Sequence, residues 1–323
     1  MFIDLILFGF GLLLLYVGAE LLVRGASRLA LQANISRLVV GVTIVAFGTS
    51  SPEFLVSIIA GWTGRTGVAL GNIIGSNIAN IGLIIGVSIM LRPLVLKDTH
   101  IKREFFWMLG ATAFFWLSVL DGHLSTPEGL VMLAGIIAFT IIIINQSIRQ
   151  RKINQSVELD IPEEPAWMIQ FNSRVKALIY IIQIITGIII LVWGSELTID
   201  AATGLARRFG VPELIIGLSL VAFGTSLPEL ATAIVSVIRR ENEILIGNVI
   251  GSNIFNLLFV GGALGTAFHV SFSEDIYSLH IPLMAGMSLM LLPGIIGRKT
   301  LSRYWGVIIT LMYVTFILLI YLS

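Results

Sequence analysis

The chain contains 323 residues, of which 56% are hydrophobic and only 12% are Asp, Glu, Lys or Arg, and its formal net charge is +1. Soluble domains carry about 25% charged residues, so this composition excludes soluble enzymes, nucleic-acid-binding proteins and disordered regulators. We therefore expect a polytopic membrane protein whose surroundings are the lipid bilayer.

Apolar runs of about 20 residues between polar breaks predict transmembrane helices. Ten such runs favour an all-α polytopic membrane fold. In chain order they lie near residues 3–22, 38–60, 68–91, 103–120, 127–147, 177–197, 213–238, 244–266, 279–297 and 303–322. The single long polar stretch, 148–176, predicts a linker between a first five-helix half at 1–147 and a second at 177–323.

The basic residues predict an orientation for these helices. Ten spans create two alternating sets of loops, and 17 of the 20 Lys and Arg residues fall in one set. Because positive residues accumulate on the cytoplasmic side, this set is expected to face the cytoplasm. The prediction is a multi-pass protein of the cell (plasma) membrane with both termini outside and a cytoplasmic linker.

Two motifs occur twice, at a constant offset of 176 residues. The stretch 41–53, GVTIVAFGTSSPE, recurs at 217–229 as GLSLVAFGTSLPE, and the stretch 71–80, GNIIGSNIAN, recurs at 247–256 as GNVIGSNIFN. Over 41–80 against 217–256 there are 18 identities. This similarity indicates a duplication. Since each half holds five helices, the second copy enters the membrane from the opposite side, which predicts two inverted-topology repeats with a substrate site at the midplane.

Each first motif places a carboxylate deep in a predicted helix, where an ionisable residue costs several kcal/mol and is functional by default. These residues are Glu53 and Glu229. A Thr and a Ser four and three residues earlier share the helical face of each Glu. Pro52 and Pro228 cannot donate a backbone hydrogen bond, so the helix should unwind there. A single buried Glu could instead be a protonated core acid, but the repeated pair favours function.

The second motif adds Ser and Asn side chains at i and i+4. Together the four segments offer carboxylate, hydroxyl and amide oxygens and no soft ligand, which suits Ca²⁺ and Na⁺. Two carboxylates can neutralise one divalent ion or hold several monovalent ones, so the two loads exclude each other, as antiport requires. The candidate side chains are Thr49, Ser50, Glu53, Ser76 and Asn80, with Thr225, Ser226, Glu229, Ser252 and Asn256.

These doubled motifs resemble those of the cation/calcium exchanger superfamily, with most similarity to prokaryotic sodium/calcium antiporters. The resemblance covers essentially the whole chain. It implies that the ten candidate side chains coordinate ions, that Ala46 and Ala222 contribute backbone carbonyls, and that the first and sixth helices slide past a fixed core. It also implies Na⁺ as the counter-ion, and it implies no resident cofactor.

The favoured function is thus Na⁺-driven Ca²⁺ antiport by alternating access, with Ca²⁺ and Na⁺ as substrates and no obligate protein partner. The physics of the pocket leaves H⁺/Ca²⁺ exchange open, because the two Glu side chains could also titrate. A passive cation channel is an alternative from another class. Intramembrane hydrolysis is disfavoured because the chain has no cysteine and no His lies within a predicted span to activate a serine, so no enzymatic activity is expected.

Overall fold

The structure is a computed structural model that describes residues 2–95, 99–151, 171–211, 224–271, 276–297 and 300–322. Within these residues the chain folds into eleven helices. They are α1 (Phe2–Ala33), α2 (Arg37–Thr49), α3 (Ser51–Trp62), α4 (Thr66–Leu91), α5 (Thr99–Ser118), α6 (Thr126–Arg151), α7 (Ser173–Arg208), α8 (Leu227–Ile238), α9 (Asn242–Ala267), α10 (Ile276–Ile296) and α11 (Arg303–Leu322).

Six of the described helices are long and apolar enough to cross a bilayer, and α2 with α3, which meet at 45°, form a seventh if they are counted as one broken span. The helical polytopic fold is therefore confirmed. The count of ten spans stays a prediction, because α8 is only 12 residues long and residues 212–223, the first part of the predicted seventh span, lie outside the described residues.

The helices α1 and α7 extend about 11 residues beyond the ends predicted near 22 and 197. They contain 32 and 36 residues, so at 1.5 Å per residue they are roughly 50 Å long, well beyond a hydrocarbon core of about 30 Å. The prediction of their ends was wrong because the polar residues that ended the apolar runs, Arg24 in α1 and Thr198 and Asp200 in α7, are accommodated within a continuous helix.

The extension places Glu20 in the middle of α1, although it is two residues from the predicted end of the first span at residue 22. Glu20 lies inside α1 and forms ion pairs with Arg24 and with Arg239, in the loop after α8. Its hydrogen bond to Arg239 raises the pKa of that guanidinium above its usual value. Glu20 therefore links α1 to the loop between α8 and α9.

The helices α1 and α7 lie against each other antiparallel with their backbones in contact. A Cβ atom added at Gly187 would lie 2.7 Å from the backbone N of Leu22 and 2.8 Å from the carbonyl oxygen of Gly18. Side chains larger than hydrogen do not fit at this crossing. The glycines therefore allow these two long helices to pack as a closely joined pair.

The helices α4 and α9, which carry the second motif of each half, form the centre of the molecule. In the most apolar 18-residue stretch of each helix, 78% of the residues are buried in α4 and 94% in α9. The corresponding value is 22% in both α6 and α7. A π-helical turn follows the motif in α4 at Asn80–Ile85, and another lies in α9 at Phe255–Val260. The sequence did not predict these turns, which widen the helix and recur at functional sites.

Both first motifs contain the predicted helix break. Ser50 has φ −86° and ψ 7°, and Ser226 has nearly the same angles, −87° and 3°. The next helix begins at Ser51 or Leu227, with Pro52 or Pro228 in its first turn, where a missing N–H costs nothing. The duplicated proline thus ends one helical segment and begins another beside each carboxylate.

Two short antiparallel strand pairs join loops of the two halves. Leu94–Val95 (β1) pairs with Thr300–Leu301 (β4), and His123–Leu124 (β2) pairs with Val270–Ser271 (β3). The strands β1 and β3 are related by the offset of 176 residues. Each half therefore makes the same kind of contact to the other, although the predicted all-α fold contained no strands.

A buried polar contact ties α1 and α2 to the loop before α9. Ser27 Oγ donates to Glu241 Oε1 at 2.8 Å, and Arg37 Nη1 donates to Glu241 Oε2 at 3.0 Å. Glu241 is 8% exposed. Because both carboxylate oxygens are occupied, this residue joins three segments at one end of the molecule.

We expect Glu241→Gln to destabilise the protein by about 1–3 kcal/mol, because hydrogen bonds to a charged group contribute about that much. The change weakens the ion pair to Arg37 and should lower the midpoint of thermal unfolding in detergent by several degrees. Asp200→Asn, at an exposed position on α7, is the matched control and should change the midpoint little. Equal midpoints for the two variants would show that the Glu241 contact does not stabilise the fold.

Candidate cation-binding site

The structure buries all ten side chains predicted to bind ions. Each is at most 7% exposed, and nine of them are at most 3% exposed. The set is Thr49, Ser50, Glu53, Ser76, Asn80, Thr225, Ser226, Glu229, Ser252 and Asn256. Burying an unpaired polar group costs about 1–3 kcal/mol. Ten such groups buried in an apolar protein therefore require partners that offset this cost.

Ser50 connects the two halves of the site. Its Oγ donates to Glu229 Oε1 at 2.9 Å and lies 2.8 Å from Ser252 Oγ. A hydroxyl has one hydrogen to donate and two lone pairs, so Ser252 supplies the hydrogen for the second contact. The break after α2 thereby meets the first turn of α8 and the centre of α9, as the two motifs predict.

Two further hydrogen bonds between the halves are equivalent, meaning that their residues are related by the offset of 176. Thr49 Oγ1 donates to Asn248 Oδ1 at 3.0 Å, and Thr225 Oγ1 donates to Asn72 Oδ1 at 3.3 Å. Each motif threonine is thus held by an asparagine of the other half. These bonds fix the threonine side chains beside the two helix breaks.

The two carboxylates lie within electrostatic reach of each other. Glu53 has the hydroxyls of Ser76 and Ser226 as neighbours, and the carboxylate of Glu229 interacts with it electrostatically. Two buried like charges repel, so the pair requires either a cation or protons. Across the part of the chain that the structure describes, no group of three or more His, Asp or Glu residues gathers, so the carboxylates act as a pair among neutral oxygens.

Six side-chain oxygens of the predicted set are buried and have no hydrogen-bond partner among the described residues. They are Glu53 Oε2, Ser76 Oγ, Asn80 Oδ1, Ser226 Oγ, Glu229 Oε2 and Asn256 Oδ1. Ca²⁺ takes 6–8 oxygen ligands, including carboxylates and Asn carbonyls. The residues present therefore fit a hard cation.

The structure describes one of the two predicted backbone ligands. The carbonyl oxygen of Ala46 accepts a hydrogen bond from the backbone N of Ser50 at 3.0 Å and lies 3.4 Å from Thr49 Oγ1, so at least one of its lone pairs is engaged. Ala222 lies outside the described residues. Neither position departs from the prediction, and both stay predictions.

Asparagines outside the predicted set hold the site together. Asn72 Nδ2 donates to the backbone carbonyl of Glu53 at 3.0 Å and to Ser57 Oγ at 2.9 Å. Asn253 accepts from Asn80 at 2.9 Å. The repeated motif marks these asparagines in the sequence, where support of the ligands and simple packing are equal alternatives.

Comparison with known proteins identifies relatives along almost the full length. The family model described as sodium/calcium exchanger protein matches twice, at residues 3–145 and 179–322. A putative antiporter, CaxA of Alkalimonas amylolytica, is 33% identical over 323 residues, which cover 97% of each chain. The sodium/calcium exchanger MaX1 of Methanosarcina acetivorans is 29% identical over 96% of each chain.

Solved structures agree with these relatives. The sodium-calcium exchanger NCX_Mj, in a crystal soaked with Na⁺ and Sr²⁺, superposes with a TM-score of 0.81 at 29% identity. The similarity covers 97% of this chain and 96% of that one. The two matches of the family model begin 176 residues apart, which is the offset of the repeated motifs.

Proposed function

The chain belongs to the sodium/calcium exchanger family, and we propose that it exchanges Na⁺ for Ca²⁺ across the membrane by alternating access. The observation that carries this function is the set of six buried oxygens, those of Glu53 and Glu229 included, that have no hydrogen-bond partner among the described residues. Carboxylate, hydroxyl and amide oxygens suit a hard cation better than a soft metal. The relatives named as exchangers support the choice of the two ions.

We propose that the ten candidate side chains bind both ions as substrates, with backbone carbonyls of Ala46 and Ala222. A divalent ion matches the charge of the two carboxylates, and Na⁺ ions use the same oxygens. Because one set of ligands serves both loads, one ion must leave before the other is fully bound. This mutual exclusion is the physical basis for coupled exchange.

The proposed topology has ten spans in two inverted five-helix repeats, 1–147 and 177–323, joined by a linker at 148–176. The antiparallel packing of α1 on α7 and the equivalent strand pairs support it. With the basic residues on the inner side, both termini lie outside the plasma membrane and the linker lies in the cytoplasm.

In this proposal the helices α1 and α7 move as one body past the core formed by α4 and α9. Support comes from the backbone contact between Gly18 and Gly187, which joins the two long helices closely. Polar contacts from α1 to the core, such as Ser27 to Glu241, would break and form again during the movement.

In proteoliposomes loaded with Na⁺ and diluted into Na⁺-free buffer, we expect the outward Na⁺ gradient to drive uptake of ⁴⁵Ca²⁺. Initial rates should saturate with Ca²⁺, because each transport cycle requires binding at one site. Equal Na⁺ on both sides is the control and should abolish net uptake.

Two results of the same assay would contradict Na⁺/Ca²⁺ exchange. Uptake that ignores Na⁺ and follows a pH gradient would indicate H⁺/Ca²⁺ exchange. Uptake that is not saturable and requires no counter-ion would indicate a channel.

A further inference from the structure

Two equivalent pairs of buried asparagines are in opposite hydrogen-bonding states. Asn80 Nδ2 donates to Asn253 Oδ1 at 2.9 Å, and Asn253 Nδ2 lies 3.5 Å from Met108 Sδ. In the equivalent pair, Asn256 and Asn77, none of the four amide atoms has a partner among the described residues. All four asparagines are at most 2% exposed. The hydrogen bond between the two asparagines is therefore formed in one pair and absent from the equivalent pair, as far as the described residues show.

The bonded pair fixes the direction of a candidate ligand. Asn80 donates its Nδ2 hydrogen to Asn253, so its Oδ1 points away from Asn253. This oxygen has no partner among the described residues. Asn253 is held in turn, since its own Nδ2 faces the sulfur of Met108. An amide anchored through its nitrogen cannot rotate and presents its oxygen, which is the atom that a cation binds.

The serines of the site have the same asymmetry. Ser50 Oγ forms hydrogen bonds with Glu229 and Ser252, whereas the hydroxyls of the equivalent Ser226 and Ser76 lie beside Glu53 and form no hydrogen bond of standard geometry in the described part of the chain. The threonine–asparagine bonds, in contrast, are formed in both halves. The difference is thus confined to one set of contacts around the carboxylates.

This asymmetry implies a second conformation with nearly the same energy. Each unpaired buried amide group costs about 1–3 kcal/mol, so a conformation that bonds Asn256 to Asn77 recovers part of that cost. The equivalent residues have the chemistry to make the bond. One bond formed and one broken in each conformation keeps the two states in balance, as a bistable element requires.

We propose, on the basis of the exchange function above, that Asn77 and Asn253 are positioning residues whose bonds alternate between the two access states. Asn253 holds the Asn80 amide with its oxygen toward the ion in the conformation described here. Asn77 holds the Asn256 amide in the same way in the conformation that opens to the other side of the membrane. Each residue acts on the ion through a candidate ligand of the opposite half.

The test compares right-side-out with inside-out membrane vesicles from cells that express the protein. The measured quantity is the ratio of the half-saturating Ca²⁺ concentrations for Na⁺-driven exchange on the two sides. Asn253→Leu and Asn77→Leu should move this ratio in opposite directions by about 2–12-fold, which corresponds to one net hydrogen bond of 0.5–1.5 kcal/mol. The double variant should return the ratio to near its wild-type value with both affinities weakened.

The aspartate variants at the same two positions keep an acceptor oxygen and should move the ratio less than the leucine variants do. Alanine replaces leucine if a leucine variant is not recovered as monodisperse protein. Both single variants moving the ratio the same way, or neither moving it, would overturn the proposal while wild-type exchange persists. Wild-type vesicles without Na⁺-dependent Ca²⁺ flux would instead overturn the proposed function.

Discussion

Glu53→Gln and Glu229→Gln are each expected to lower Na⁺-driven Ca²⁺ uptake by roughly 10²–10³-fold, close to the background of empty vesicles. Both side chains are at most 1% exposed. A divalent ion facing one carboxylate in place of two carries an uncompensated charge in a low dielectric, and removing one partner of a buried ion pair costs about 3–5 kcal/mol. Glutamine keeps the size of glutamate and one of its two oxygens, so the loss of uptake measures the effect of removing the negative charge.

Glu196→Gln is the matched control for these two variants. Glu196 is an exposed acid on α7, and its replacement changes the net charge by the same amount. Its uptake rate should equal that of the wild type. Initial ⁴⁵Ca²⁺ rates are compared after size-exclusion chromatography has shown each variant to be monodisperse. Substantial uptake by either site variant would remove that carboxylate from the set of ion ligands.

The burial and the mutual contacts of the candidate residues could be predicted from the sequence, because these polar residues are repeated inside apolar helices. Hydrophobicity alone does not preserve Glu, Ser, Thr and Asn at matched places in two halves. The contact between Ser50, Glu229 and Ser252 follows from placing the two motifs together. The break before Pro52 follows equally from local chemistry, since proline cannot continue the preceding turn.

Other features depend on partners that a local pattern does not reveal. In the sequence, Arg24 ends an apolar run. In the structure it forms an ion pair with Glu20 within α1, and the helix continues to Ala33. The bond from Asn80 to Asn253 joins residues 173 positions apart. The equivalent bond would join Asn256 to Asn77. Because both pairs consist of two asparagines, the conformation and not the residue types decides which of the two bonds is formed.

The approach of α2 to α9 depends on Gly247 and leads to a second large effect. A Cβ atom at this position would lie 2.6 Å from the carbonyl oxygen of Leu38 and 3.0 Å from the backbone N of Val42. Both atoms belong to the backbone, so no side-chain rotation can relieve the clash. Helices in contact through glycine must separate to accept anything larger.

We expect Gly247→Leu to prevent recovery of folded, monodisperse protein, because the separation breaks the Thr49–Asn248 and Ser50–Ser252 contacts and leaves buried polar groups unpaired. Gly247→Ala should fold with lower thermal stability and weaker Ca²⁺ affinity. Gly110→Leu, on the exposed face of α5 where an added Cβ meets nothing within 4 Å, is the control and should be recovered normally. If Gly247→Leu had the elution profile and the Ca²⁺ affinity of the wild type, the close contact between α2 and α9 would be contradicted. The contacts that this packing makes between the two halves of the site would be contradicted as well.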